Sequence, residues 1–205
     1  MEDMGAFRDA VGGWAAGGPG GPAGDLAVRL GLRTAVLLEG LSDLAAVEAL
    51  AARRGRDLAA EGVGLVSMGG AMNVGRYAGL LGPPGLGLRL TGLCDERERP
   101  YYERGLERAG AGGGEFFVCA ADLEDEFIRA LGTAAVEEII RVEGDVRAWQ
   151  TFLRQPAQHG RPRQQQLRRF LGTKKGRKIR YGRLLVESLG PGQVPAPLES
   201  LLASL

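Results

Sequence analysis

Three acidic segments, each at the end of an apolar run, have the residue types needed to hold a divalent cation. The first is LLEGLSD, residues 37–43, where Glu39 directly follows an apolar run and Asp43 lies four residues on. The second is GLCDERE, residues 92–98, where Asp95 occupies the same kind of position. The third is ADLEDEF, residues 121–127, where Glu124 and Asp125 follow a capping Asp122. Carboxylates gathered in one place repel each other by ~4 kcal/mol for unit charges ~4 Å apart at an effective dielectric of ~20. A divalent cation removes that repulsion. Oxygen donors with no His nearby and no Cys at zinc spacing select Mg²⁺ or Mn²⁺ over zinc. Such ions polarise a phosphodiester, activate water and stabilise the leaving oxygen. Acids are also common in first helical turns, where they cap the helix and complement its dipole. Asp43, Asp122 and Glu124 are each open to that simpler reading. Glu39 and Asp95 directly end apolar runs, so it does not explain them.

The elements that would position these acids alternate along the chain. Thr34–Leu38 reads as a buried strand, and a helix capped by Ser42 follows over Asp43–Arg54. Val63–Val66 is a second strand, and a helix over Asn73–Leu81 follows it. Leu88–Leu93 is a third strand, and a helix starting at Pro100 runs to about Ala109. Phe116–Cys119 is a fourth strand, followed by a helix over Leu123–Leu131. Four such units predict an α/β fold with a parallel four-stranded sheet flanked by helices. In such sheets ligands bind beyond the carboxyl ends of the strands, where Glu39, Asp95 and the 122–126 cluster would meet. Residues 11–24 are rich in Gly and Pro, and residues 1–24 are expected to form a flexible segment apart from a short helix over 1–10. The main domain is expected over 25–132. A basic helical extension over 133–205 would carry helices at 133–141, 146–153, 164–171 and 179–189, a loop at 172–176 and a Pro-rich tail.

A net charge of +1 conceals two opposed blocks. Residues 1–146 hold 14 basic and 23 acidic side chains, whereas residues 147–183 hold 12 basic and none acidic. The basic block interleaves Arg161, Arg163, Arg168, Arg169, Lys174, Lys175, Arg177 and Arg180 with Gln164–Gln166, Phe170 and Tyr181. That composition suits phosphate and base contacts, DNA being favoured over RNA. The competing reading is a helical face whose arginines pair with the acidic block. Cys94 and Cys119 lack zinc or CxxC spacing and read as buried free thiols. His159 reads as a loop residue, and Trp14 and Trp149 as packing residues. GTKKGRK lacks the P-loop spacing. With no 18-residue apolar stretch and no secretory signal at the N-terminus, the expected location is the cytoplasm.

An apolar strand ending in EGxxD, followed by a strand ending in Asp, resembles the Toprim domain. The closest resemblance is to the version in OLD-family endonucleases and in actinobacterial Toprim nucleotidyl transferase/hydrolase proteins, seen in VLLEGLSD, VSMGG, DLEDEF and GRKIRYGRLL. The resemblance extends over about residues 33–200. It implies a Mg²⁺-dependent nuclease or nucleotidyl transferase. Glu39, Asp43 and Asp95 would be metal ligands, and Glu39 would also serve in acid/base chemistry. Glu124 would complete a second metal position, and Lys178 would stabilise phosphate charge unless it is simply one more solvated cation. The family's third motif is usually DxD, but this chain has Asp95-Glu96-Arg97, so Glu98 would have to substitute. That departure leaves open a nucleic-acid-binding protein with a degenerate site. The absence of an attached ATPase domain leaves open a partner subunit of a separate ATPase.

Overall fold

The structure, a computed structural model, describes residues 2–173 and 175–205. Its centre is a sheet of four parallel strands, β1 (Thr34–Leu38), β2 (Val63–Ser67), β3 (Arg89–Asp95) and β4 (Glu115–Cys119), in the order β2-β1-β3-β4. Every residue of β1 is buried, because both faces of the sheet are covered. Val36 and Leu38 enter one core with Leu65 and Leu93. Ala35 and Leu37 enter the other with Val66, Leu90 and Cys94. The two-residue period of a strand thus explains why TAVLL is continuously apolar. The register pairs Leu37 with Val66 and with Gly92, and Asp95 with Cys119. All four carboxyl ends therefore reach the same edge.

Helices α1 (Glu2–Ala15) and α2 (Gly21–Arg29) precede the sheet. The flexible segment expected over 1–24 is therefore mostly helical. Phe7 and Val11 are fully buried in the core they share with Leu37 and Val66, and this apolar stripe outweighs the weak helix propensity of Gly. Gly20 is also a packing residue, since a Cβ there would lie 2.5 Å from the Trp14 ring. Between the strands run α3 (Leu41–Arg53), α4 (Val74–Leu81, led by a 3₁₀ turn at Ala71–Asn73) and α5 (Arg99–Arg108). After β4 come α6 (Leu123–Leu131), α7 (Thr133–Val142), α8 (Val146–Leu153), α9 (Arg163–Leu171), α10 (Lys175–Ser188) and α11 (Ala196–Ser204). The expected loop at 172–176 is shorter than its sequence suggested, since α10 already begins at Lys175. The Pro-rich tail also yields a helix. Pro195 precedes α11, and Leu198, Leu201 and Leu202 are buried against the sheet. Arg56 and Arg89 donate to the carbonyl oxygens of Leu202 and Ser204 at 2.5 and 2.9 Å and hold α11 there.

The C-terminal helices share one continuous core with β1 and α3. Trp149, Phe152 and Phe170 form an aromatic cluster with ring centroids 5.0–5.8 Å apart. Near the acidic edge α10 packs tightly on α3. A Cβ at Gly182 would lie 2.6 Å from the Ser42 carbonyl oxygen, so only Gly lets α10 sit against the first turn of α3. Arg53 donates to the carbonyl oxygens of Val186 and Leu189 and closes the same interface. Gly182→Ala is accordingly expected to cost ~1–3 kcal/mol of stability as an overpacked contact. Chemical denaturation checks this, and a loss within experimental error would show that α10 can shift freely on α3.

Candidate metal centre

The turn that follows β3 builds the site. Asp95 is the last residue of β3. The Glu98 amide donates to the Asp95 carbonyl oxygen at 2.9 Å, and the Glu96 amide donates to that of Cys119 at 2.9 Å. The tight turn carries Glu98, the residue preceding α5, back over Asp95. Glu39 arrives from the end of the neighbouring β1. Glu39, Asp95 and Glu98 each place a carboxylate oxygen within 4.8 Å of the other two.

The electrostatics are those of a site short of positive charge. Burial, followed by the charges of Glu39, Asp122 and Glu98, pushes the Asp95 carboxyl up to about 8. Burial and the neighbouring Glu98 also raise Glu39, and Lys178 offsets this only in part. The Glu98 Oε2 atom is buried and has no hydrogen-bond partner among the described residues. Three oxygen donors, unrelieved repulsion and an orphaned carboxylate oxygen all fit a hard divalent cation.

Asp43 and Glu124 do not join this triad. They form a second group around Lys178, whose Nζ lies 3.4 Å from Glu124 Oε1. Glu124 is only 4 % exposed, and burial raises it to about 7 despite Lys178. Burial also raises Asp43, against the pull of Lys178. Asp43 accepts from the Gly40 amide at 2.9 Å, so it does cap α3, as the simpler reading of the sequence allowed. Burial opposes the charge on Lys178, but Glu124, Asp43 and Glu39 outweigh it, and the net shift is upward. Lys178 is therefore bound into the acidic edge and is not one more solvated cation.

Asp122 combines two roles that the sequence did not distinguish. It caps α6, accepting from the Asp125 amide at 2.8 Å, and its other oxygen accepts from Arg168 at 2.5 Å. Its charge also acts on Glu39 and Asp95. The available signal was its position, three residues beyond Cys119 on the same sheet edge. Asp125 accepts from Gln164 at 2.8 Å and from Arg129 at 3.1 Å. Glu126 accepts from the Ala120 amide at 2.9 Å. Both are structural. Cys94 and Cys119 are buried free thiols, and burial first of all raises both, Cys94 to about 11.

The basic segment divides. Arg161, Arg168 and Arg169 line a cleft of about 930 Å³ beside the triad, together with Asp122, Asp125, Gln155, Gln164 and Gln165. Arg97 lines it too. By sequence Arg97 is only the residue displacing an acid; the fold exposes its side chain along the cleft. Arg163, by contrast, pairs with Glu137 at 3.0 Å and lies over the Trp149 ring. Arg177 pairs with Asp145, stacks on Phe170 at 4.1 Å, and has a side chain only 9 % exposed. Arg180 pairs with Asp145 and Glu143. For these three the competing reading, neutralisation by the acidic block, describes what the fold does. Lys174 and the side chain of Lys175 lie outside the described residues. His159 is exposed in a loop, and Trp149 is buried. No helix among the described residues is long and apolar enough to cross a membrane.

Comparison with known proteins bears on the domain and the fold. Residues 32–96, which contain Glu39, Asp43 and Asp95, match the family model described as Overcoming lysogenization defect protein-like, TOPRIM domain. The C-terminal region of the Burkholderia pseudomallei OLD protein superposes with a TM-score of 0.60 at 22 % identity, over 84 % of this chain and 96 % of that one. The C-terminal region of the Xanthomonas campestris pv. campestris OLD protein gives a TM-score of 0.60 at 26 % identity, over 84 % of this chain and 93 % of that one. No curated protein matches the chain in sequence. The chain thus carries a Toprim domain close to that of OLD-family proteins, set in a four-stranded parallel α/β fold shared with their C-terminal regions.

Proposed function

We propose that this protein is a Mg²⁺- or Mn²⁺-dependent phosphodiester hydrolase or nucleotidyl transferase of Toprim type that acts on nucleic acid, DNA more than RNA. The observation that carries this reading is the convergence of Glu39, Asp95 and Glu98 within 4.8 Å of one another, next to an arginine-lined cleft that Arg97, between Asp95 and Glu98 in the chain, helps to line. These three carboxylates would hold the cation, which when bound would polarise a phosphodiester and neutralise charge developing on its oxygens. Arg97, Arg161 and Arg169 would grip the phosphates of the strand, and Gln155 and Gln165 would reach sugar or base edges. Arg168 is tied to Asp122 and serves mainly to orient that carboxylate beside the triad. Lys178 offsets part of the burial that disfavours the charged forms of Glu124 and Asp43 behind the triad, and it biases the site toward anionic substrate.

The test is incubation of the full chain with supercoiled plasmid in Mg²⁺ or Mn²⁺, wild type against Glu39→Gln. Cleavage by the wild type alone supports the enzyme. Retarded but intact DNA in both supports a second reading, a nucleic-acid binder with a spent site, which Arg97 in place of a second Asp favours. The cleft makes a separate prediction about binding. Each phosphate contact contributes about −0.9 to the slope of log affinity against log salt. Arg161→Ala with Arg169→Ala is therefore expected to flatten that slope by roughly 2. An unchanged slope in a filter-binding titration would remove the cleft from the interface.

A further inference from the structure

Tyr102 is buried to 1 % exposure in the core that α5 shares with β3 and β4. Its ring lies edge-on to Phe116, with centroids 5.2 Å apart. The ring is well packed, but its hydroxyl is buried and has no hydrogen-bond partner among the described residues. Glu98, one turn earlier, has a buried carboxylate oxygen in the same condition. The Tyr102 amide donates to the Glu98 carbonyl oxygen at 3.2 Å, so the two residues stand at i and i+4 on a helical turn and their side chains share a face. One of the two orphaned groups is a donor and the other an acceptor, and in the structure they do not bond each other, so a turn of the Glu98 side chain is needed to join them.

We propose that Tyr102 is the positioning residue of the metal centre, its hydroxyl donating to Glu98 and aiming the other Glu98 oxygen at the cation. The inference rests on the reading of Glu39, Asp95 and Glu98 as cation ligands. Ligating carboxylates are held in place by hydrogen bonds from groups behind them. Burial first, then the charges of Cys94, Glu39, Glu98 and Asp43, keep the Tyr102 hydroxyl protonated, so it can only act here as a donor toward a carboxylate. An apolar ring would fill the same space, so packing alone does not account for a tyrosine. Glu39 directly follows β1 and Asp95 ends β3, whereas Glu98 is set by a four-residue turn, so of the three ligands it has most need of a fixed partner.

Tyr102→Phe isolates the hydroxyl because the ring is retained. Mn²⁺ dissociation constants are measured on the metal-free full chain by electron paramagnetic resonance for wild type, Tyr102→Phe, Glu98→Gln and the double variant, alongside thermal melts without metal. The expected result is Mn²⁺ affinity weakened roughly 10–100-fold in Tyr102→Phe with an unchanged or higher melting temperature. The double variant is expected to be no weaker than Glu98→Gln. Unchanged Mn²⁺ affinity in Tyr102→Phe would overturn the proposal while leaving the metal centre intact. Losses that add in full in the double variant would also overturn it, because Tyr102 would then act independently of Glu98. Absence of Mn²⁺ binding by the wild type would overturn this proposal and the reading on which it rests.

Discussion

Asp95→Asn is expected to reduce metal-dependent cleavage by roughly 10²–10³-fold, the scale seen when one preorganised electrostatic group is removed. The same change should stabilise the metal-free protein. Burial first, then the charges of Glu39, Asp122 and Glu98, penalise the ionised form of Asp95 and push its carboxyl from the ordinary 3.8 up to about 8. Between those values the native state binds more protons than the unfolded chain, so this group's contribution to stability falls as pH rises from about 4 to about 8. At pH 8.5 the wild type carries the whole penalty and the Asn variant carries none of it. Asp95 is half-buried and partly relieved by solvent, so the gain is on the order of 1–3 kcal/mol, well below the full conversion of the shift. For a chain of this length that is several degrees, at roughly 2–4 °C per kcal/mol. Divalent cation should reverse the ranking. A ligand at ~100 times its Kd stabilises by ~2.7 kcal/mol, and only the wild type retains the site. Thermal melts at pH 6 and pH 8.5, with and without Mn²⁺, read all four corners. Equal melting temperatures for the two proteins under all of these conditions would mean that Asp95 is neither crowded nor a ligand.

Lys178→Met is expected to be the most destabilising single change at the acidic edge. Glu124 is 4 % exposed and Asp43 is 9 % exposed, and Lys178 is the cation that both face. Removing one partner of a buried pair costs ~3–5 kcal/mol, because the other charge is left uncompensated. The Lys178 side chain is 37 % exposed, so solvent already screens part of the interaction and ~2–3 kcal/mol is the expected loss. Its sign with pH follows from Glu124. That carboxyl sits at about 7 with Lys178 present, and it rises further without it. Protonation then removes the buried charge, so the variant should recover stability as pH falls from 8 to 6. Glu124→Gln placed on Lys178→Met should restore most of the loss at pH 8. If the double variant melts no higher than Lys178→Met, the cation is not there to balance Glu124.

Much of this protein was legible from local pattern. Four apolar runs of strand length, each followed by a helical period, are short-range features, and the sheet follows them closely. Glu39 and Asp95 were legible for the same reason, since an acid that directly ends a buried parallel strand has only the carboxyl edge of the sheet to occupy. The helical N-terminus and α11 were not legible, because Gly and Pro are read as breakers until their apolar neighbours find a core to enter. Phe7, Val11 and Leu201 found one.

The grouping of the acids was decided by tertiary structure. Asp43 and Glu124 were offered as ligands by resemblance and Glu98 only as a substitute for a missing acid, and the choice among them depends on a turn and a helix docking that sequence distance does not encode. The turn from Asp95 to Glu98 folds one carboxylate into the triad. Contact between α10 and α3, permitted by Gly182, sets Lys178 against Glu124. The fate of the basic block was settled in the same way. Composition made its arginines interchangeable, whereas packing buried Arg177 on Phe170 and left Arg161 and Arg169 along the cleft, which Arg97 also lines from the turn after β3. Charge type and strand-end position are properties of the chain alone; which charges neutralise one another depends on distances of a few ångströms that exist only after the elements have packed.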